Sequence, residues 1–232
     1  MLRRQPLLHR FCALIAVLLA CPPETPAYEV PLSPPAIHEA YVLGQRNDQA
    51  TAGFFNPYLK QLKEEGASGA HIAEMEILTP FAQMVDDSRA NAAKGYTEQD
   101  AERDYRRRGN IVVVRVVLMF PAAYPKPEAK TNAGSTGQPP PPPAQNTPLR
   151  PENFWQNFQF SMKQRGKVIP TRSIRNKPIY SAATKDAPSV LDGATVWLEY
   201  DAKDVAPEPA IVEVITPEAK NINASFDLKV LR

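Results

Sequence analysis

Three groups of residues in this chain carry side chains that could do chemistry. The first is a run of carboxylates, Glu74 and Glu76 followed by Asp86 and Asp87. Glycoside hydrolysis needs two such groups facing each other across a bond, so a hydrolase reading would centre on Glu74 and Asp86. If residues 73–77 form a strand, Glu74 and Glu76 share one face of it. That is the pattern of a solvated edge, and Asp86-Asp87 lie mid-helix, pointing outward. The second group is built on histidine. His38-Glu39 opens like a zinc helix, but Val42 stands where the second histidine belongs. His71 with Glu74 and Glu76 offers an imidazole and carboxylates. Zinc takes three or four converging ligands, and two separated histidines do not supply them, so no metal site is assigned. The third group consists of contact residues. Gln45 and Arg46 sit in the polar knot Gln45-Arg46-Asn47-Asp48, and Trp155 lies beside Phe154 and Phe158. With His71 they would line a ligand cleft. Each also has a structural reading: a helix end followed by a cap for the knot, and core or hairpin packing for Trp155.

Other signatures fail on spacing. Gly66-Ala67-Ser68-Gly69 lacks the G-x-S-x-G arrangement of a nucleophile elbow. Gly134-Ser135-Thr136-Gly137 has no helix behind it to cradle a phosphate. Arg106-Arg107-Arg108 could touch an anionic surface. It also sits where a helix C-terminus favours cations, with Glu98, Asp100, Glu102 and Asp104 preceding it. No catalytic residue and no cofactor follows from the sequence.

The first 27 residues concern location. Arg3, Arg4 and Arg10 precede the apolar run 11–20, the arrangement of a secretory signal peptide. That run is about half the roughly 20 residues a spanning helix needs. Its exit supports two readings. Leu18-Leu19-Ala20-Cys21 matches a bacterial lipobox in which Cys21 is lipidated, although Leu19 is larger than usual there. Thr25-Pro26-Ala27 suits an ordinary signal peptidase that frees Tyr28. The expected location is therefore the periplasm, the outer membrane through a lipid, or the medium. Both cysteines, Cys12 and Cys21, fall in or beside this leader, so the mature body has no disulfide and must be held by its core. Arg3, Arg4, Arg10 and Glu24 leave with residues 1–27, so 27 basic and 25 acidic residues become 24 and 24. A balanced body lacks the cationic surplus that nucleic-acid binding needs.

The elements that would position these residues divide at 110. Residues 28–110 read as a mostly helical segment. Ile37, Ala40, Tyr41 and Gly44 make one apolar helix face. Asp48 or Asn47 can cap a second helix that Asn56-Pro57 ends. Thr79-Pro80 starts a third. Thr97 and Asp100 form a capping box for a fourth, which stops at Gly109 and rests on Tyr105. Between these, residues 73–77 alternate and fit a strand as well as a helical turn.

From residue 111 the period changes to two. Residues 111–120 are apolar and β-branched apart from Arg115. Alternation marks Phe158-Phe160-Met162, Val196-Leu198-Tyr200, Val212-Val214 and the last run, Ile222 to Val230. The turn Thr216–Lys220 pairs the last two as a hairpin. Shorter strands near 167–169 and 174–180 bring the count to about seven. Residues 121–153 form a Pro-rich insert, with Pro139 to Pro143 consecutive, expected to be an exposed loop.

The resulting expectation is an α+β chain: a signal peptide over 1–27, a helical segment over 28–110, and an antiparallel β-sandwich over 111–232. In strand count and spacing this sandwich resembles the immunoglobulin-like class. The leading functional expectation is a non-catalytic interaction or structural module of the cell envelope. Its partner would be a protein or another envelope component, with no nucleic acid and with membrane contact only through the N-terminal lipid. The alternatives are the ligand-binding cleft of Gln45, Arg46, His71 and Trp155, and the carboxylate hydrolase.

Overall fold

The computed structural model describes residues 28–62, 69–121, 150–182 and 189–232. Residues 1–27, where a signal peptide with Cys21 is expected, and residues 122–149 of the Pro-rich insert lie outside the described residues.

Local signals set most helix boundaries. Helix α1 (Pro34–Arg46) begins on two prolines and stops where Asn47 turns left-handed, at φ 44°. Helix α2 (Gln49–Phe55) is capped by the Asp48 carboxylate, which accepts from the Ala50 and Thr51 amides. Asn56-Pro57 then force a single 3-10 turn, 56–58, before strand β1 (Leu59–Gln61). Strand β2 (His71–Leu78) runs into Thr79, whose hydroxyl accepts from the Ala82 amide and starts helix α3 (Pro80–Asn91). The Thr97/Asp100 capping box opens helix α4 (Glu98–Arg108). Gly109, at φ 80°, releases the chain into strand β3 (Ile111–Met119). The rest is strand: β4 (Gln159–Gln164), β5 (Lys167–Ile169), β6 (Ser173–Tyr180), β7 (Leu191–Asp201), β8 (Pro209–Ile215) and β9 (Asn221–Asp227).

These strands make two antiparallel sheets, ordered β1-β2-β3-β7-β6 and β5-β4-β8-β9. Four hairpins stay within a sheet, β1-β2, β4-β5, β6-β7 and β8-β9. The chain changes sheet between β3 and β4, β5 and β6, and β7 and β8. Alternate residues of both sheets enter one buried cluster. Met75, Ile77, Val114, Val116, Val196, Leu198 and Tyr200 come from the first sheet, and Met162, Val212, Val214, Ala224 and Phe226 from the second. Burying one such side chain contributes about 1.5–3 kcal/mol, so this shared layer dominates the stability of the molecule.

A second cluster lies among the helices. It joins Leu32, Ala36, Ile37 and Ala40 to Phe81, Met84, Val85, Ala101 and Tyr105. Phe54 and Phe55 touch both clusters. Gly44 lets α1 approach α3 closely, since a Cβ there would lie 2.5 Å from both Ser88 Cβ and the Val85 carbonyl oxygen.

Two features differ from the sequence reading. The segment 28–110 supplies β1 as well as β2, which takes in the alternating residues 73–77, and the two extend the sheet past β3. The last strand stops at Asp227, whose carboxylate accepts from the Lys229 amide at 3.1 Å. That turn leaves Val230 66% exposed, although the alternation places it inside.

Candidate functional site

Because Met75, Val116 and Val196 face the core, their strand neighbours face the other way. The register puts Leu59, Glu76, Arg115, Trp197 and Arg175 in one row across β1, β2, β3, β7 and β6. A parallel row holds Glu74, Val117, Thr195 and Lys177, and on the other side lie Leu78, Val113, Glu199 and Ser173. This outer face is where the described structure gathers charge and aromatic surface.

At its β6 side, the Arg175 guanidinium lies over the Trp197 ring at 4.6 Å and its Nε lies 3.2 Å from Glu199 Oε1. The Ser173 hydroxyl donates to the other Glu199 oxygen at 2.7 Å. Cation–π contact and a shared carboxylate hold the row in place.

At its β2 side, Glu76 Oε2 lies 2.7 Å from Arg115 Nη2. The Glu76 side chain is 5% exposed and that of Arg115 33%. The same oxygen makes no directed hydrogen bond with a described group, so the pair is held by charge alone. Burial pushes the Glu76 carboxyl up to about 7. Arg115 opposes that shift, Asp86 and Glu74 add to it, and Arg89 opposes it.

The sequence reading placed Glu76 beside Glu74 on a solvated edge. Two things bury it instead: β2 is an interior strand between β1 and β3, and α3 brings Asp86 and Arg89 near it. One signal could have found the pair. Arg115 interrupts an apolar strand, and a charge there needs an opposite charge on a neighbouring strand. The other two carboxylates of the group are occupied: Asp86 pairs with Arg89 at 2.7 Å, and Asp87 pairs with Arg108.

The four expected ligand contacts belong to three parts of the fold. Gln45 Nε2 donates to the Ser88 carbonyl at 3.2 Å, between α1 and α3. Arg46 donates to the Asp48 carboxylate at 3.0 and 2.8 Å, rather than to the carbonyls of the helix end. It also borders an open depression of about 290 Å³ along α1, with His38, Glu39, Val42 and Leu43. His71 begins β2 opposite Met119, at the end of the strand away from α3. Its Nδ1 is buried without a partner among the described residues. Trp155 sits in a 3-10 turn, 154–157, against the apolar cluster shared by the two sheets.

The remaining charges are mostly paired. His38 Nδ1 lies 2.9 Å from Glu98, and Glu39 pairs with Arg232. Arg106 pairs with Glu102 and Arg107 with Asp104 one turn back along α4, as the charge pattern of that helix suggests. Among the described residues, no three His, Cys, Asp or Glu side chains converge as a metal site. Among them, too, no helix is long and apolar enough to cross a membrane. No protein-family model matches the chain, and no curated protein or solved structure matches it.

Proposed function

We propose that this chain is an exported module of the cell envelope that works by binding another envelope component and carries out no bond-making of its own. The observation that carries the reading is the strand order. β2-β3-β7-β6 follows the A-B-E-D order of an immunoglobulin-type sheet, and β5-β4-β8-β9 follows C′-C-F-G. On this reading β1 is an extra strand beside A, and the helices are an addition at the same side. Domains of this type present sheet faces and end loops for contact. Here the outer face of the β3-β7-β6 region offers Arg115, Trp197 and Arg175, residue types that dominate the energetics of protein interfaces. The signal peptide and either fate of Cys21 account for delivery to the envelope.

The test has two arms. Intact mass of the protein from the cells that make it should begin at Tyr28 or carry a diacylglycerol on Cys21, the latter lost in Cys21→Ala. A full-length chain in the cytoplasmic fraction overturns export. A photo-reactive residue at Lys177, on the outer face of the first sheet, should give a discrete adduct in those cells. The same residue at Ile211, exposed on the second sheet, should not. Equal labelling from both positions, or none from Lys177, overturns this choice of surface.

A further inference from the structure

We propose that Glu76 is a proton switch on the outer face of the five-stranded sheet: ionised, it holds Arg115, and protonated, it frees Arg115 and changes the setting of the adjacent Trp197. The proposal does not depend on the envelope reading. It rests on how the carboxyl is enclosed. Its side chain is almost fully buried. Among the described residues its Oε2 has no directed hydrogen bond, and its close compensation is one guanidinium at 2.7 Å. A carboxylate in that position keeps its charge only as long as that cation outweighs desolvation.

The groups around it are finely divided. From β3 comes Arg115. From its own strand comes Glu74, of like charge, and from α3 come Asp86, also of like charge, and Arg89. Arg89 is already engaged by Asp86 at 2.7 Å and lies over the Phe55 ring, so its pull on Glu76 is reduced. From β1, the residue opposite Glu76 is Leu59, which offers no charge. The net environment therefore favours the neutral form more than water does, in agreement with a carboxyl pushed up to about 7 by burial.

The consequence passes along the sheet. Arg115 stands directly opposite Trp197, whose ring is stacked by Arg175 from β6. When Glu76 takes up a proton, Arg115 loses the contact that fixes its guanidinium, and the field at the indole changes. The response is thus coupled to the face on which the aromatic surface lies, and it can be read there.

Side-chain carboxyl shifts of the intact chain, followed by NMR from pH 4 to 9 with assignments from through-bond connectivity, read the proton directly. Glu76 should titrate about 300-fold more weakly as an acid than a free glutamate side chain. Trp197 emission, in a Trp155→Phe background, should shift with the same midpoint. That shift should vanish in Glu76→Gln. Imidazoles also titrate in this range, so the His38→Asn/His71→Asn double variant should keep the Trp197 response. A Glu76 carboxyl with an ordinary midpoint overturns the switch. So does Trp197 emission that fails to follow it, or that follows it unchanged without Glu76. If Glu76→Gln does not fold, the direct titration of the unaltered chain still decides, and Arg115→Met should raise the Glu76 midpoint further.

Discussion

Glu76 ionises near 7 in the folded chain and near 4.5 when unfolded, and that gap fixes the sign of its effect on stability. Below pH 4.5 both states hold the proton. Between 4.5 and 7 only the folded state holds it, so the contribution falls as pH rises. Above 7 both have lost it, and folding bears the full cost of the buried charge. At about 1.4 kcal/mol per pH unit the span is about 3 kcal/mol. Urea unfolding at pH 5 and pH 8 should therefore show Glu76→Gln gaining stability relative to the unaltered chain as pH rises, by up to this amount. Parallel curves for the two proteins would remove Glu76 from the account. This residue was half legible in the sequence. Its alternation with Glu74 gives the right face, and the lone charge at Arg115 hints at a partner. Burial came from β1 and α3, which no local pattern places there. Of the contact residues, Gln45 and Arg46 are engaged at the end of α1, His71 begins β2 and Trp155 lies in the turn before β4, and no local pattern relates these places.

Among the elements, α1 and α3 approach closely at Gly44. Adding one methyl there meets backbone, the Val85 carbonyl oxygen, as well as Ser88 Cβ, each at 2.5 Å. Backbone on a packed helix cannot swing aside as a flexible side-chain tip can, so the two helices must separate. Gly44→Ala should destabilise the protein by about 1–3 kcal/mol, measured by chemical denaturation. The damage should centre on the helical cluster, with faster amide exchange in α1 and α3 than in β3 and β7. A Gly44→Ala protein as stable as the parent would show that this contact is slack. Helix starts were readable because capping is local chemistry: Asp48, Thr79 and the Thr97/Asp100 pair sit where their side chains meet free amides. Strands β7, β8 and most of β9 were readable because one face is wet and the other dry, and β3 because it is a β-branched apolar run. β1 has only three residues, too few for a period, and within β2 the five alternating residues 73–77 are short enough to fit a helical turn as well as a strand.

For the molecule as a whole, the question is what makes helices and sheets one body. Phe54 and Phe55 bridge the two apolar clusters, and the residues after β9 add a polar tie. The Arg232 amide donates to the Tyr58 hydroxyl at 2.9 Å, and that hydroxyl donates back to the Arg232 carbonyl at 3.0 Å. The Thr79 hydroxyl also donates to this carbonyl, while the Arg232 guanidinium pairs with Glu39 and lies 4.5 Å over the Phe81 ring. One residue thus contacts α1, the turn before β1, and both the cap and the first turn of α3. No sequence pattern reveals a contact between positions 58 and 232, and the strand order is hidden for the same reason. Tyr58 is buried, and burial pushes its hydroxyl up to about 12, so it stays a neutral donor and acceptor at any ordinary pH. Tyr58→Phe keeps the ring and deletes both bonds. The Arg232 carbonyl keeps Thr79, but its amide is left without the Tyr58 oxygen, at a cost of about 1–3 kcal/mol. Because the tie joins the two clusters, the loss should appear as lost cooperativity as well as lost stability. The unaltered chain should unfold in one transition. In Tyr58→Phe combined with Arg232→Ala, amides of α1 and α3 should exchange through an opening that leaves β3 and β7 protected. If helix and strand amides in that double variant still share one opening free energy, the aromatic bridge at Phe54 and Phe55 suffices, and the polar tie is not what unites the fold.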